Sequence, residues 1–504
     1  MSASAGFAPA LLDRLGVAVR SLALDSRKVR PGDTFVACPG RSTDGRAFIA
    51  QAIERGAAAV IWESGDGFAW DAGWRVPNLP LPALAAQLGA LASHVYGHPS
   101  RALTVVAVTG TNGKTSVTRW IAEALTARGS KCALIGTLGA GYADAPTMSG
   151  LANTTPDAVT LQAALAGFVR DGARAVALEA SSIALDQHRL DAVDIDVAVF
   201  TNLTRDHLDY HGSFEAYGEA KALLFDWPDL QHAVLNVDDQ FGRELARRTR
   251  ARGVPTLEFS LDQSGAALAA HDLQLDRRGL RLEIVAAGAR CTVHSPLLGR
   301  FNASNLLAAA GALHALSVPV GEIGALLSEV SAPPGRMQAV TVRATGEAAA
   351  DMSAAPLVVV DYAHTPDALA NALATLRPML ARDGQLVCVF GCGGERDAGK
   401  RPLMGAIAAR AADAAWVTSD NPRGESPQRI IDEVLAGAGA AAHVHAEVDR
   451  RVAIGLAVAR ARPQDIVLIA GKGHESYQEV AGVRHPFDDR EVAAAALRAR
   501  TRKD

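Results

Sequence analysis

Short apolar runs alternate with amphipathic stretches along most of the chain. Residues 103–108, LTVVAV, form one such run, and apolar positions recur at helical spacing over residues 116–125. Short runs rich in β-branched residues predict buried strands, whereas a 3.6-residue spacing predicts helices. Between these two elements lies a turn at residues 109–115 that carries two glycines, a lysine and hydroxyl side chains. The pattern therefore predicts a strand, a glycine turn and a helix in direct succession.

The same alternation recurs on both sides of this stretch. Helices are predicted between successive strands, which favours mostly parallel sheets with crossover helices. Residues 270–295 alternate only weakly and predict a hairpin insertion. The predicted strands are residues 35–38, 57–62, 132–137, 175–179, 197–202, 233–237, 357–361, 386–390, 415–418 and 466–470. The predicted helices include residues 48–56, 214–225, 301–316, 366–380 and 427–436.

Two polar stretches divide this alternation into three parts. A chain of 504 residues is too long for one core, and His98-Pro99-Ser100 and the segment SAPPGR at 331–336 have the composition of linkers. The sequence predicts an α/β protein of three domains. These are a small N-terminal α/β domain at 1–98, a central domain at 99–332 with a P-loop-type, mostly parallel sheet, and a Rossmann-like C-terminal domain at 333–504.

The glycine turn has the composition of a phosphate-binding loop. Backbone N–H groups and the dipole of the following helix favour an anion, Lys114 adds a positive charge, and Thr115 offers a hydroxyl to Mg²⁺. The spacing is G-x-x-G-K-[ST], a shorter variant of the Walker pattern, because Val108 stands where that pattern has its first glycine. The alternative is a tight turn with an incidental lysine. The order of strand, turn and helix favours the phosphate loop.

Composition narrows the class of protein. The formal net charge of −4 offers no general attraction to nucleic acid or to a membrane surface, and no apolar run is long enough to span a bilayer. The five cysteines are scattered through apolar segments, which favours reduced thiols and a cytoplasmic protein. Only seven of the 50 Lys and Arg residues are lysines. A lysine in a glycine- or histidine-rich segment is therefore a candidate for chemistry that arginine cannot perform. This applies to Lys114, Lys221, Lys400 and Lys472.

Polar residues end the strands predicted beside the loop, which is where ligands bind in such sheets. Glu179 ends one strand and His207 follows another, so both join Thr115 as candidate Mg²⁺ ligands. The alternative for Glu179 is a helix N-cap. For His207 it is a core histidine or an unrelated His-Asp metal site. Lys221 lies on a predicted amphipathic helix, where a solvated lysine is the ordinary alternative.

The C-terminal part repeats this arrangement. Its predicted strands end in the signatures DYAHTPDA, GCGGERDAGKR, SDNPRGES and GKGHESYQ. Loops that follow parallel strands share one sheet edge, so a second binding face is predicted there. The N-terminal part is less informative, because Ser26, Ser42 and Thr43 fit turn caps as well as ligand contacts.

Together these motifs resemble the Mur ligase family of peptidoglycan synthesis, over essentially the whole chain and in the family's domain order. The matching segments are LDSR with PGD, TGTNGKT, NTTP, EASS, TNLTRDHLDYHG, YGEAKALLF, FNASNLLAA, DYAHTPDAL, GCGGERDAGKRPLMG, DNPR and GKGHESYQ. The resemblance implies an ATP-dependent amide ligase that adds meso-2,6-diaminopimelate to the D-glutamate of UDP-N-acetylmuramoyl-L-alanyl-D-glutamate through an acyl phosphate. It implies ATP, Mg²⁺ and a CO₂-derived carbamate on Lys221. The expected partners are small-molecule substrates, without nucleic acid or membrane insertion, and a cytoplasmic monomer is expected.

By the same resemblance, the family's functional positions carry over in four groups. The catalytic residues are Lys114, Glu179, His207 and Lys221, of which Glu179, His207 and the Lys221 carbamate bind the metal with Thr115. The ATP-binding residues are Gly110, Thr111, Asn112, Gly113, Lys114, Thr115, Ser116, Asn302, Arg336 and Asp361, with His364 nearby. The UDP-sugar-peptide site comprises Leu24, Ser26, Arg41, Ser42, Thr43, Asn153, Thr154, Thr155, Ser181, Gln187 and Arg189. The diaminopimelate site comprises Arg396, Asp420, Asn421, Pro422, Arg423, Gly471 and Glu475.

The chemistry of the last group suits a zwitterion with a second amino-acid head. Arg396 and Arg423 suit its carboxylates, and Glu475 suits an ammonium. The DNPR form favours diaminopimelate over lysine as the added amino acid. Two features depart from the family's pattern. Ile183-Ala184 follows the paired serines where many relatives have a histidine, and the loop at 41–43 is poorly fixed by residue type, so its contacts are expected through the backbone.

Other classes of protein share part of this pattern. The same ligase chemistry with L-lysine is one alternative. Folylpolyglutamate synthase shares the loop, the carbamylated lysine and the ligation chemistry, but it would not require the first domain or the DNPR segment. A phosphate-loop kinase or GTPase-like switch would lack the amino-acid loops of the third domain. A non-enzymatic scaffold is the remaining alternative.

Overall fold

Contacts divide the chain into two units. The computed structural model describes residues 7–40, 43–144, 151, 153–341 and 355–501. The first unit comprises Met1–Ala270 with Ile284–Cys291 and Ser304–Leu326, and the second comprises His271–Glu283, Thr292–Ala303 and Leu327–Asp504. The predicted boundaries near residues 98 and 332 stay a prediction.

The N-terminal part of the first unit contains a parallel sheet in the order β1-β2-β3-β4. Its strand β2 is buried throughout, as expected of a strand covered on both faces. The strands are β1 Leu22–Ala23, β2 Thr34–Ala37, β3 Ala59–Ser64 and β4 Asn78–Pro82, and the helices are α1 Ile49–Glu54 and α2 Leu88–Val95.

The remainder of the first unit is organised around a larger sheet, in which β5 lies between β8 and β9. Seven strands of this sheet run in the order β11-β10-β9-β5-β8-β6-β7, and among them only the β6–β7 pair is antiparallel. The strands are β5 Thr104–Thr109, β6 Cys132–Gly136, β7 Gly139–Tyr142, β8 Ala175–Glu179, β9 Val197–Phe200, β10 His232–Asn236 and β11 Thr256–Ser260. The helices are α3 Lys114–Ala127, α4 Ala158–Arg170, α5 Ser182–Asp186, α6 Leu208–His211, α7 Phe214–Ala222 and α8 Gln240–Ala251.

This topology places the glycine turn at a switch point. From β5 the chain crosses to β6 and β8 on one side and later returns to β9 on the other. Loops that follow β5, β8 and β9 therefore emerge at the same sheet edge, where doubly wound α/β folds bind ligands. Val105, Ala107, Val176 and Ala198 belong to the apolar core that holds these strands in register.

The weakly alternating stretch after β11 forms three strands. It is followed by two helices before the second linker-like segment. The elements are β12 Leu268–Asp276, β13 Gly279–Ala286, β14 Ala289–Ser295, α9 Arg300–Ala315 and α10 Val320–Ser328.

The second unit is built on a sheet in the order β15-β16-β20-β17-β18-β19, parallel apart from the β15–β16 pair. Apolar cores cover both of its faces. The strands are β15 Gln338–Ala339, β16 Leu357–Asp361, β17 Leu386–Phe390, β18 Ala414–Val417, β19 Val444–Ala446, β20 Ile466–Ala470 and the hairpin β21 Tyr477–Val480 with β22 Val483–Pro486. The helices are α11 Pro366–Leu376, α12 Lys400–Ala411, α13 Pro427–Ala438, α14 Arg450–Arg460 and α15 Asp489–Thr501.

The predicted α/β class, with large mostly parallel sheets, is confirmed. The described residues include no helix with both the length and the hydropathy needed to cross a bilayer.

Candidate active site

Two glycines shape the loop between β5 and α3. Gly110 has φ +146° and Gly113 has φ +88°, and α3 begins directly at Lys114. A Cβ at Gly110 would lie 1.9 Å from Thr201 Oγ1, and one at Gly113 would lie 2.3 Å from Asn305 Oδ1. Only glycine fits such close approaches. The loop is therefore held tightly against its neighbours, with the start of a helix behind it.

The segment that follows β9 fixes this loop through hydrogen bonds. The Thr111 N–H donates to Asn202 O at 2.8 Å, and the Asn112 N–H donates to Asn202 Oδ1 at 3.0 Å. Thr201 Oγ1 donates to Asn112 O at 2.6 Å, and the Thr204 N–H donates to Thr111 Oγ1 at 2.9 Å. Thr201 and Asn202 were not among the predicted site residues, although the TNLTRDHLDYH motif that contains them was recognised.

Two lysine amines converge at the base of the loop. Lys114 Nζ donates to Gly110 O at 2.8 Å and to Thr111 O at 2.9 Å, and Lys221 Nζ donates to the same Gly110 O at 3.0 Å. Lys221 is buried, and its amine lies 4.2 Å from the centre of the Tyr217 ring. Burial, followed by the charge of Lys114, lowers the pKa of Lys221 well below its ordinary value. The solvated lysine expected on an ordinary amphipathic helix is thus not what the structure shows.

Glu179 ends β8 beside the loop, and β8 pairs with β5 through Val108 and Glu179. Its buried carboxylate accepts the Thr137 N–H at 2.8 Å and the Thr137 hydroxyl at 3.1 Å. The N-cap of α5 is Ser181, whose hydroxyl accepts the Ala184 N–H at 3.2 Å. The alternative role of Glu179 as a helix N-cap is therefore wrong, because Ser181 caps α5.

His207 lies at the start of α6 with a half-exposed side chain and φ +51°. Its Nε2 is 3.7 Å from Asp206 Oδ2. This exposure does not fit the alternative of a core histidine. Thr115 lies in the first turn of α3, after Lys114.

The donor set near the loop fits one particular mode of metal binding. Within the described ranges, no three His, Cys, Asp or Glu side chains are grouped to hold a metal ion. Mg²⁺ commonly binds through one or two carboxylates, keeps several waters and completes its shell with nucleotide phosphates. Thr115 and Glu179 supply oxygen donors of the type that this mode requires, whereas a dedicated all-protein cage is not present in the described residues.

A second cluster in the first unit joins several of the predicted sugar-peptide residues. Arg189 donates to Gln187 Oε1 through Nε at 3.0 Å and Nη2 at 2.6 Å, and its Nη1 donates to Thr155 O at 2.9 Å. Thr155 Oγ1 donates to Glu179 O at 2.6 Å and accepts the Ser181 N–H at 3.1 Å. These contacts link the β8 end with α5. Asn153 and Thr154 lie just before them in the chain, and Thr154 Oγ1 is 3.2 Å from Thr137 Oγ1.

Tyr210 and His211 extend this cluster and were missed by sequence reasoning. Gln187 Nε2 donates to Tyr210 Oη at 2.9 Å, and Tyr210 Oη donates to Asp186 Oδ2 at 2.7 Å. His211 Nε2 is 3.0 Å from Ser182 Oγ, and burial lowers the His211 pKa. These side chains line a cavity of about 430 Å³. The histidine that many relatives carry after the paired serines is absent, and in this chain His211 contacts the second of those serines.

The predicted residues of the N-terminal part are only partly described. Arg41 and Ser42 lie outside the described residues. Ser26 is buried and its hydroxyl donates to Gln51 Oε1 at 2.5 Å, while Asp25 caps the short 3₁₀ turn that Ser26 begins. Leu24 is half-buried, and the Thr43 carbonyl accepts the Gly40 N–H at 2.9 Å.

In the second unit, two of the predicted nucleotide residues lie near the first strands of the sheet: Arg336 precedes β15, and Asp361 is the last residue of β16. The carboxylate of Asp361 accepts the Met337 N–H at 2.7 Å and the Ala363 N–H at 2.9 Å. Burial raises the pKa of Asp361, although these hydrogen bonds oppose the shift. The Arg336 guanidinium lies 5.0 Å from the centre of the Tyr362 ring.

Neighbouring residues complete this region of the second unit. Asn302 is buried and its Nδ2 donates to Leu298 O at 2.8 Å. Burial lowers the pKa of His364, whose carbonyl accepts the Lys400 ammonium at 2.8 Å. Gly335 packs against the backbone of Gly473, because a Cβ on Gly335 would lie 2.0 Å from Gly473 C.

The loops after β17, β18 and β20 meet around Asn421. Asn421 Nδ2 donates to Glu475 Oε2 at 2.8 Å, and buried Lys472 donates to Asn421 Oδ1 at 3.0 Å and to Glu475 Oε2 at 3.1 Å. A Cβ on Gly471, which has φ +117°, would lie 2.8 Å from Asp420 Oδ2. Lys472 was singled out by the scarcity of lysine, but it was not included in the predicted site.

The two predicted carboxylate-binding arginines border the glycines of the β17 loop. Arg423 Nη1 donates to Gly394 O at 2.7 Å, and a Cβ on Gly393 would lie 3.1 Å from Arg423 Nη1 and 3.8 Å from Arg396 Cγ. The Pro422 carbonyl packs against Gly394 as well. All seven predicted diaminopimelate residues thus belong to one group of loops in this unit.

A buried ionic network fixes these loops to the helices behind them. Arg401, which is almost fully buried, donates to Glu425 at 2.9 and 3.0 Å and to Glu433 at 2.7 Å. Glu425 also accepts the Glu395 N–H at 2.5 Å. Arg401 thereby lowers the pKa of Glu425 to about 2. The network joins the segments that carry Arg396 and Arg423.

Fold and loop geometry define this chain as an α/β protein of the phosphate-loop class. Three family models match it in succession. The model described as "Mur ligase family, catalytic domain" matches residues 18–96, "Mur ligase middle domain" matches 108–313, and "Mur ligase, glutamate ligase domain" matches 335–473.

Named relatives agree over nearly the full length. A protein from Chromobacterium violaceum named UDP-N-acetylmuramoyl-L-alanyl-D-glutamate–2,6-diaminopimelate ligase is 51% identical over 491 residues, which cover 97% of each chain. A solved structure of a ligase with the same name is 39% identical, with a TM-score of 0.69, and the match covers 96% of this chain and 95% of the other. The chain therefore belongs to the Mur ligase family, as its motifs indicated.

A more distant solved structure shares the fold alone. It is the folylpolyglutamate synthase of Mycobacterium tuberculosis, complexed with ADP and AMPPCP. That structure is 19% identical, with a TM-score of 0.58, and the match covers 83% of this chain and 95% of the other. Folylpolyglutamate synthase is one of the alternatives that the sequence offered, and its fold is similar to that of this chain.

Proposed function

We propose that this protein is an ATP-dependent ligase that joins meso-2,6-diaminopimelate to the D-glutamate of UDP-N-acetylmuramoyl-L-alanyl-D-glutamate. The observation that carries the proposal is the buried amine of Lys221, which meets Lys114 at the Gly110 carbonyl of a phosphate-type loop. The names of the full-length relatives support the choice of substrates.

The reaction requires activation because a carboxylate is a poor acyl donor. Transfer of the ATP γ-phosphoryl group to the D-glutamate side-chain carboxylate gives ADP and an acyl phosphate. The amine of diaminopimelate then attacks the acyl carbon, loses a proton and expels inorganic phosphate through a tetrahedral intermediate, which leaves an amide. The protein contributes positioning and charge neutralisation. In this proposal the loop of residues 110–116 binds the phosphates through its N–H groups, and Lys114 adds charge.

Thr115, Glu179, His207 and a carbamylated Lys221 would hold Mg²⁺, which would neutralise negative charge on the phosphates. The Lys221 ammonium would first lose one proton, and the neutral nitrogen would then bond to the carbon of CO₂ and release a second proton, so that a cation becomes an anion overall. A neutral amine is required for that step, and burial beside Lys114 favours the neutral form. Arginine cannot undergo the same step, since its guanidinium stays protonated.

The remaining substrate contacts are proposed at the positions that match the family. Asn302, Arg336 and Asp361 would bind the rest of the nucleotide. The residues Thr154, Thr155, Ser181, Gln187 and Arg189 would bind the sugar-peptide, together with Asn153, Leu24, Ser26 and the 41–43 loop. Arg396, Asp420, Asn421, Pro422, Arg423, Gly471 and Glu475 would bind diaminopimelate. A cytoplasmic location and a monomeric state are parts of the same proposal.

The test is a substrate panel with purified protein. We expect phosphate release from ATP only when both the UDP-linked dipeptide and diaminopimelate are present, with the amide product identified by mass. Turnover of a folate with glutamate in their place contradicts the proposal. A product that contains lysine instead of diaminopimelate retains the ligase but changes its amino-acid substrate.

A variant tests the role given to Lys221. We expect Lys221→Ala to abolish ligation and added bicarbonate to restore none of it, whereas Lys131→Ala, at an exposed position, retains activity. Full activity in Lys221→Ala refutes the carbamate.

A further inference from the structure

The lysine in the loop after β20 occupies an unusual position for a charged side chain. Lys472 has no exposed surface, and a buried ammonium is tolerated only where its charge and its hydrogen-bond donors are matched. Its contacts are Asn421 Oδ1 at 3.0 Å, Glu475 Oε2 at 3.1 Å and the face of Tyr477, whose ring centre lies 5.6 Å away. Each of these partners belongs to the loops proposed to bind the incoming amino acid or to the strand that follows them.

The first consequence concerns the orientation of Asn421. An ammonium can only donate, so the amide oxygen of Asn421 must face Lys472. The same oxygen also accepts the Glu479 N–H at 2.9 Å. The Asn421 amide nitrogen is thereby directed to Glu475 Oε2, at 2.8 Å. Lys472 and the Glu479 N–H thus together determine which end of Asn421 faces the carboxylate.

The second consequence concerns Glu475. Lys472 and Asn421 both donate to Oε2, while Oε1 accepts no hydrogen bond from the described residues. The Glu475 side chain is 22% exposed, so part of it is accessible to a ligand. Because the lysine charge offsets the carboxylate charge, the pair offers one hydrogen-bond acceptor without a full net negative charge.

We propose that Lys472 is a positioning residue that sets the preference of this site for a zwitterionic amino-acid head over a cationic side chain. The inference rests on the proposed function. A diaminopimelate head carries an ammonium and a carboxylate and has no net charge, which matches a Lys472–Glu475 pair without net charge together with Arg423, which follows Asn421 by two residues in the same loop. The side chain of lysine carries an ammonium alone. Its net positive charge gains little from a carboxylate that is already offset, and it leaves the arginine without a carboxylate partner.

The test measures amino-acid preference directly. Full-length wild type, Lys472→Met and Lys472→Arg are each supplied with ATP, the UDP-linked dipeptide and a mixture of meso-diaminopimelate with excess L-lysine, and the ratio of the two products is determined by mass. Because the readout is a ratio, it remains measurable when turnover is low. Methionine preserves the length of the side chain and removes its charge, whereas arginine preserves the charge. Lys131→Met, at an exposed position, is the matched control.

We expect Lys472→Met to shift the product ratio towards lysine by about tenfold or more, because an unmatched Glu475 attracts a cation. The KM for diaminopimelate should rise, while the KM values for ATP and the dipeptide should stay within about twofold of wild type. Lys472→Arg should retain the wild-type preference, and Lys131→Met should not change it.

A ratio in Lys472→Met within twofold of wild type overturns the inference, as does loss of both products from a folded protein. If Lys472→Met does not fold, Lys472→Gln takes its place, since its amide can still donate to Asn421 without a charge. An unchanged ratio in Lys472→Gln then overturns the inference. Failure of the wild type to join either amino acid would instead refute the proposed function, so the two failures are distinguishable.

Discussion

In the first unit, the amines of Lys114 and Lys221 converge on the carbonyl of Gly110, whereas in the second unit the buried Lys472 amine lies 3.1 Å from the Glu475 carboxylate. A carbonyl is an uncharged partner, so it does not itself offset an ammonium charge such as the one Lys114 offers to a polyanion. A carboxylate offsets the charge, so the second arrangement suits a ligand with both signs of charge. The group that a lysine amine contacts, a carbonyl or a carboxylate, therefore determines which class of ligand charge the surrounding loop suits.

The two regions also differ in what fixes their shape. The loop of the first unit depends on close backbone approaches at Gly110 and Gly113. The loops of the second unit also contain close approaches at Gly394 and Gly471, but they depend in addition on side-chain ionic contacts around Arg401 and Glu425. Substitutions that remove charge should therefore have different consequences in the two regions.

Removal of the loop charge in the first unit should have the largest effect. We expect Lys114→Met to reduce ATP-dependent phosphate release by at least about 1,000-fold, whichever amino acid is supplied, because this charge stabilises the transferring phosphoryl group. Steady-state kinetics with each amino acid measure the loss. If Lys114→Met changed the amino-acid preference and kept the rate of phosphate release, Lys114 would act as we propose for Lys472, and the contrast between the two lysines would be wrong.

Removal of the network charge in the second unit should act on stability. Arg401→Met leaves Glu425 and Glu433, whose side chains are 26% and 33% exposed, without their common partner, and we expect a loss in the free energy of unfolding that clearly exceeds the loss caused by removing an exposed arginine of the same network. Urea unfolding of the full chain measures it. Arg429 also pairs with Glu433, but its side chain is 74% exposed. Arg429→Met should therefore cost less than about 1 kcal/mol. Equal losses in the two variants would refute the structural role of Arg401.

The smallest expected effect is a change in pH dependence. Because the pKa of Lys221 is lowered in the folded state, the unfolded chain binds more protons, and stability rises with pH until the ordinary lysine pKa of 10.5 is reached. Lys221→Met removes this contribution, so the slope of unfolding free energy against pH should fall by up to about 1.4 kcal/mol per pH unit in CO₂-free buffer. Lys131→Met controls for the loss of one exposed lysine. An unchanged slope in Lys221→Met would show that the amine is not held neutral.

Much of the fold follows from apolar runs bounded by polar residues. The predicted strands at 175–179, 357–361, 386–390 and 466–470 coincide with β8, β16, β17 and β20. Boundaries at glycine were harder to place. The helix after the loop was predicted from residue 116, but α3 begins at Lys114, because Gly113 adopts a left-handed conformation that lets the helix start directly. The predicted helix at 214–225 ends as α7 at Ala222 and continues as a 3₁₀ turn.

The candidate site was predictable where chemistry coincides with strand ends. Glu179 and Asp361 both end parallel strands, and that topology can be read from the pattern. Partners that are distant in sequence were not predictable. The contact between Thr111 and Thr204 spans 93 residues, and the one between Lys472 and Asn421 spans 51. The pattern of apolar positions does not show which loops contact each other. Asn202, Tyr210 and Lys472 were therefore added to the candidate site only from the structure.

The backbone contact between Gly335 and Gly473 limits how the proposed amino-acid site can be re-engineered. Two main chains touch there without an intervening side chain, and a Cβ on Gly335 would also come within 2.2 Å of His474 N. Libraries that randomise positions 335 and 473 should therefore return glycine almost exclusively. Diversity for a new amino-acid substrate has to be sought on the outer rim, as at Arg396.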